Sequence, residues 1–173
     1  MDFKNKIAVV TGGAQGIGRC IAEEFQKAGA TVCIIDKRQG SHFVGDLADK
    51  RVLEEFAKKV IAQHGHVDFL VNNALPLMKG IAECSYEEFQ YALSVGVTAP
   101  FYLAKLFAPH FAKGAAIVNI FLARPYESAT DGKLYGSKGR NCRIDPCLGS
   151  QSCWEGPCQL YLSGMDRHRL HCL

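Results

Sequence analysis

The run Thr11-Gly12-Gly13-Ala14-Gln15-Gly16-Ile17-Gly18 is followed, eighteen residues past its last glycine, by an acid, Asp36. Residue types at this spacing do chemistry through the backbone. Gly12 lets the chain turn sharply off a strand, Gly16 lets the backbone approach a pyrophosphate, and Gly18 lets a helix and a sheet pack closely. With Gln15 and Ile17 between them, these residues open a helix whose first N–H groups have no partner in the helix and face the phosphates. Asp36 stands near the acidic position expected about 20 residues beyond such a loop, where a carboxylate bonds a ribose 2′-hydroxyl. A glycine run alone says little; the elements flanking it decide.

Those elements are in register. Ile7-Ala8-Val9-Val10 is an apolar run of strand length, Ile17, Ile21 and Phe25 recur at helical spacing up to Gly29, and Thr31 to Ile35 forms a second strand ending in Asp36. His42 to Leu47 reads as a short strand and turn, placing Asp46 and Leu47 at a third strand end where an adenine ring can rest. Val52, Phe56 and Val60, beside Leu53, Ala57 and Ile61, predict a helix over Lys50 to His64, stopped by Gly65. A fourth strand, Val67 to Val71, enters Asn72-Asn73-Ala74. Ser85 and Glu88 make a capping box for a helix expected to bury Tyr86, Phe89 and Leu93. Helical character resumes after Pro100 through Phe101, Leu103 and Leu106, and Ala115 to Ile120 is a fifth strand. Strands alternating with helices at this spacing give an α/β fold with a doubly wound parallel sheet. Ligands of such sheets bind beyond the carboxyl ends of the strands, where the glycine loop, Asp36, Asp46 and Asn73 all lie.

At 173 residues and 48% hydrophobic, the expectation is one domain with a sizeable core. A formal charge of +3 without a basic tract excludes nucleic acid as the expected partner. Met1 to Asn5 does not read as a signal peptide and no 18-residue apolar stretch is expected anywhere in the chain, so the expectation is a cytoplasmic protein with no membrane partner. Of eight cysteines, Cys20, Cys33 and Cys84 fall in elements that read as buried, and the other five follow residue 140. Cys142, Cys147, Cys153 and Cys158, with His168 and His171, lack the paired C-x₂-C spacing of a compact zinc site, so no metal is expected.

Taken together, TGGAQGIG (11 to 18), Asp36, Asp46-Leu47, Asn72-Asn73-Ala74, Ile117-Val118-Asn119-Ile120 and Tyr135-Gly136-Ser137-Lys138 resemble the short-chain dehydrogenase/reductase family over residues 4 to about 139. The resemblance implies a Rossmann-fold oxidoreductase, usually a dimer or tetramer, that moves a hydride between a nicotinamide and an alcohol or ketone. It implies Gly12, Gln15, Gly16, Ile17, Gly18, Asp36, Asp46, Leu47, Asn73 and Ala74 as cofactor residues, with Tyr135 and Lys138 as catalytic residues. Asp36 points to NAD, since a carboxylate bonds the ribose diol and repels a 2′-phosphate; Lys37 and Arg38 beside it pull toward NADP, the less favoured cofactor. In the family a tyrosine hydroxyl carries the proton, and a lysine four residues on lowers its pKa, which a base at neutral pH needs. Three partners depart from that pattern. Lys138 is three residues beyond Tyr135, the serine position is Leu122, and the asparagine position is Gly96. A one-residue slip on a helix turns a side chain by about 100°, away from its family position.

Beyond Gly139 the periodicity stops. The chain divides into a Rossmann domain over 1–139, its sheet incomplete on the C-terminal side, and an irregular Cys-rich tail over 140–173. With permitted codons for Arg140 to Leu170, reading one nucleotide later can spell GIVALTHALA and then VRVNCISPGWIDTD, the helix, strand and proline-glycine turn with which the family continues. The tail therefore reads as a frameshift product, and the activity as impaired. Two other readings stand beside the damaged enzyme: a catalytically inactive NAD- or nucleotide-binding module, and a Cys-rich metal or redox module joined to half a Rossmann fold.

Overall fold

Every residue of β1 (Ile7–Thr11) is buried, because strands flank it on both edges and helices cover both its faces. A strand so placed reads as a continuous apolar run rather than an alternation. The computed structural model describes residues 2–76, 79, 82–122 and 158–164. Around β1, β2 (Thr31–Asp36), β3 (Phe43–Val44), β4 (Val67–Asn72), β5 (Phe111–Leu122) and β6 (Cys158–Gly164) line up in the order β3-β2-β1-β4-β5-β6. Strands β1 to β5 pair in parallel, as the doubly wound reading requires. Within the segment read as irregular, β6 pairs antiparallel with β5, from Ala116 opposite Gly164 to Leu122 opposite Cys158.

Period-two alternation sends Val9 to one face of the sheet and Val10 to the other. On Val9's side lie α2 (Lys50–His64) and α4 (Ala99–Phe107), which bury Leu53, Phe56, Leu103 and Phe107. On Val10's side lies α1 (Gly16–Lys27), with Ala22 buried and Ile17, Ile21 and Phe25 packed beside it. Gly65 ends α2 at φ 76°, the left-handed conformation that closes the helix through its N–H to the Ile61 carbonyl. At the opposite end of the sheet from the glycine loop, buried Asp68 accepts from the Ile7 N–H and from Lys6 Nζ, both at 2.9 Å.

Helix α3 (Tyr86–Leu93) begins with the expected capping box of Ser85 and Glu88, but its buried face is not the expected one. Tyr86, Phe89 and Leu93 are 72%, 46% and 39% exposed, and the buried stripe is Ala92, Val95, Ala99, Leu103 and Phe107. Two apolar stripes run along this segment. The one that leads with small residues faces the core, since Ala92 and Ala99 let the helix lie close. The helix also continues through Pro100, where the sequence suggests a break. A π-turn at Ser94–Thr98, closed by the Ala99 N–H on the Ser94 carbonyl, widens the ladder just where proline has no N–H to give. Within the resulting run, Tyr86–His110, an 18-residue window reaches a mean hydropathy of 1.3, so one helix is long and apolar enough to cross a membrane by length and composition, which corrects the reading that no 18-residue apolar stretch occurs; one stripe of it is built into the core. Cys20, Cys33 and Cys84 are half-buried free thiols rather than core residues.

Candidate nucleotide-binding cleft

At the carboxyl ends of the parallel strands lies a cleft of about 520 Å³, and all ten residues assigned to the cofactor in the sequence line it. The glycine loop forms its floor. The Gly12 N–H donates to the Ile35 carbonyl at 2.8 Å, which holds the turn against β2. A Cβ on Gly18 would collide with the Gly12 carbonyl oxygen and Asn73 Nδ2, so Gly18 is the point of closest helix–loop approach. Gly16 differs. Its φ is +55°, it lines the cleft, and a Cβ there would meet open space, with nothing within 4 Å. The N-cap of α1, Gln15, is extended and makes no side-chain cap, and no acid sits in the first turn. The first N–H groups and the positive end of the helix dipole are thus left to the cleft, a ready site for an anion.

Asp36 is not a solvated strand end. It is 7% exposed and accepts from the Ala14 N–H and the Arg38 N–H, both at 3.0 Å. Each oxygen carries one of these bonds and keeps further acceptor capacity toward the cleft. Lys37 and Arg38 stand exposed at the rim. Asp46 accepts from the Ala48 N–H at 2.9 Å and from the Tyr91 hydroxyl, which lies 3.1 and 3.0 Å from its two oxygens. Burial, then the hydrogen bond and charge of Asp46, raise the Tyr91 pKa above its ordinary value, so the phenol stays a donor. Lys37 Nζ lies 5.8 Å from the centre of the Tyr91 ring. Leu47 is buried beneath the cleft.

Asn73 joins loop to sheet. Its Nδ2 donates to the Thr11 and Gly12 carbonyls at 3.0 and 3.2 Å, while the Asn73 and Ala74 N–H groups both donate to Thr11 Oγ1. Asn72 Nδ2 donates to Asn119 Oδ1 at 2.8 Å, linking β4 to β5. Tyr135 and Lys138 lie outside the described residues. So do Cys142, Cys147, Cys153, His168 and His171, and among the described residues no cluster of three His, Cys, Asp or Glu is placed to hold a metal. Gly96 falls inside the π-turn, and Leu122 ends β5. Sequence reasoning missed Tyr91 and Val95, which wall the cleft from α3 and the turn after it. Their i, i+4 spacing on one helical face, opposite the strand ends, was the signal available.

A family model for short chain dehydrogenases matches residues 6–137. The chain belongs to the short chain dehydrogenase family. It is 35% identical to an uncharacterised oxidoreductase of Thermotoga maritima, over 79% of this chain and 61% of that one. It is 33% identical to the L-fucose dehydrogenase of Mus musculus, over 68% of this chain and 49% of that one. Among solved structures, it is similar to a short chain dehydrogenase of Burkholderia cenocepacia in complex with NADP, with a TM-score of 0.64 and 26% identity over 68% of this chain and 55% of that one. The chain therefore spans about half to three-fifths of the length of these curated relatives. The donor set fits the family's nicotinamide dinucleotide: open amides at α1 for a diphosphate, a buried carboxylate for a diol, and a second carboxylate for a base.

Proposed function

We propose that this chain is an NAD-dependent oxidoreductase of the short chain dehydrogenase family, transferring a hydride between the cofactor and a small alcohol or carbonyl substrate, with impaired turnover. The uncapped N-terminus of α1 carries this reading, with Gly16 held open before it. The backbone of Gln15, Gly16, Ile17 and Gly18 holds the diphosphate, and Gly12 supplies the turn that brings it there. Asp36 accepts from the ribose diol, which favours NAD over NADP because a 2′-phosphate would face a buried carboxylate. Asp46 and Leu47 receive the adenine, and Asn73 and Ala74 form the wall beside it. When bound, the nicotinamide supplies the hydride donor or acceptor. Tyr135 gives or takes the substrate proton, and Lys138 is the cation assigned to help it. Leu122 offers no hydrogen bond to a substrate oxygen and Lys138 is three residues from Tyr135, so turnover is slow. A cytoplasmic location and a homo-oligomeric assembly go with this reading. Titration of the purified chain with NAD, NADP and AMP, beside an absorbance assay for NADH, tests it. NAD and AMP should bind, NADP more weakly, with NADH formed slowly; tighter binding of NADP than NAD would overturn the cofactor assignment.

The same proposal divides the chain into a Rossmann domain over 1–139 and a frameshift-derived tail over 140–173. The end of the family match at residue 137 supports that boundary. The nucleotide sequence across codons 119 to 173 decides the matter: codons that do not spell a family continuation in the shifted frame remove the idea.

A further inference from the structure

We propose that Tyr91 is a positioning residue for base recognition: its hydroxyl fixes the Asp46 carboxylate so that one oxygen faces the cleft as a pure acceptor, selecting an amino-bearing purine over an oxo-bearing one. The proposal rests on the dinucleotide reading of the cleft and adds to it a residue 45 positions from Asp46 in the chain. Two donors, the Ala48 N–H at 2.9 Å and the Tyr91 hydroxyl at 3.1 Å, converge on Asp46 Oδ1. Oδ2 takes only the other share of the Tyr91 hydroxyl, at 3.0 Å. An ionised carboxylate accepts at about four lone-pair sites and donates at none, so Oδ2 keeps a free acceptor direction.

The phenol is delivered by a fixed element. Ala92 and Val95, on either side of the same helical face, are buried, and the Ser85–Glu88 capping box pins the start of the helix. Burial of the ring and the adjacent carboxylate keep the hydroxyl protonated, so it donates across the physiological range. A 6-amino group entering the cleft donates to Oδ2. A 6-oxo group sets acceptor against acceptor, and the loss of the donor that the site is built to receive makes it selective.

The test is titration calorimetry with NAD and with nicotinamide hypoxanthine dinucleotide, on the wild-type chain and on Tyr91→Phe, Asp46→Asn and the double variant. Wild type should prefer NAD, and Tyr91→Phe should narrow that preference by about tenfold, the value of one hydrogen bond to a charged group. In Asp46→Asn the amide oxygen takes the Ala48 N–H and the Tyr91 hydroxyl, its NH₂ turns to the cleft, and the preference should invert toward hypoxanthine. Adding Tyr91→Phe leaves the amide held by the Ala48 N–H alone and should weaken that inversion. A merely structural tyrosine would weaken both dinucleotides equally and leave every ratio in place. An unchanged ratio in Tyr91→Phe, or no inversion in Asp46→Asn, overturns the role of Tyr91 while leaving NAD binding intact. Failure of the wild-type chain to bind either dinucleotide overturns the reading beneath it and this role together.

Discussion

Thr11 and Asn73, 62 residues apart, clamp the glycine loop to the end of β4 through two bonds that both run from Asn73 to Thr11: the Asn73 N–H donates to Thr11 Oγ1, and Asn73 Nδ2 donates to the Thr11 carbonyl, each at 3.0 Å. The cleft floor and the cleft wall are therefore one mechanical unit.

Breaking that clamp should cost stability cooperatively. Thr11→Val strands the N–H groups of Asn73 and Ala74, and Asn73→Ala strands the carbonyls of Thr11 and Gly12. Each should lose about 2 kcal/mol in urea denaturation, and the double variant about 1 kcal/mol less than the sum. Strict additivity would mean that the bonds do not act as a unit.

Gly18 gives a prediction of opposite sign to its intrinsic helix preference. Alanine in place of glycine inside a helix ordinarily stabilises by about 1 kcal/mol. Here the new methyl would overlap the Gly12 carbonyl oxygen and Asn73 Nδ2, which are hydrogen-bonded to each other at 3.2 Å. Gly18→Ala should therefore destabilise by about 2 kcal/mol in thermal or urea melts. A neutral or stabilised variant would show that helix and loop can separate at no cost.

How much of this was legible follows from what each signal depends on. The β1–α1–β2 unit, the α2 boundaries and the Ser85 capping box rest on local chemistry, and the structure reproduces them. The buried face of α3 rests on which of two apolar stripes meets the sheet. Periodicity cannot separate them, and the stripe of Tyr86, Phe89 and Leu93 that the sequence points to the core stands exposed. The π-turn before Pro100 was hidden because proline marks a break in sequence, whereas one wider turn is enough to accommodate it. In β6 the alternation of Leu160 and Leu162 is too short to register as a strand; only its pairing with β5 defines it. The contact of Tyr91 with Asp46 joins residues far apart in the chain, and no local pattern encodes it.

Asp68 predicts a pH dependence. Burial acts to raise its pKa, but hydrogen bonds from Lys6 and the Ile7 N–H, with the charges of Lys6 and His66, outweigh burial and hold it below the ordinary value. A carboxylate so depressed stabilises the fold fully above its unfolded pKa of about 3.9, and that contribution drains away as pH falls through the lower folded value. Asp68→Ala should cost about 2 kcal/mol at pH 7, with the gap to wild type closing below about pH 4. A gap that stays constant into acid would assign the loss to packing rather than charge.

The most direct measurement is calorimetric titration of the folded chain with NAD, beside Gly16→Leu. A leucine at φ +55° costs about 1–2 kcal/mol of backbone strain, and its side chain starts into open space at the cleft's lining rather than into packed protein. A cradle for a diphosphate at the start of α1 predicts saturable binding by the wild-type chain and none by Gly16→Leu, which still melts cooperatively. A folded wild-type chain that ignores millimolar NAD, or a Gly16→Leu variant that binds it equally well, would contradict the account.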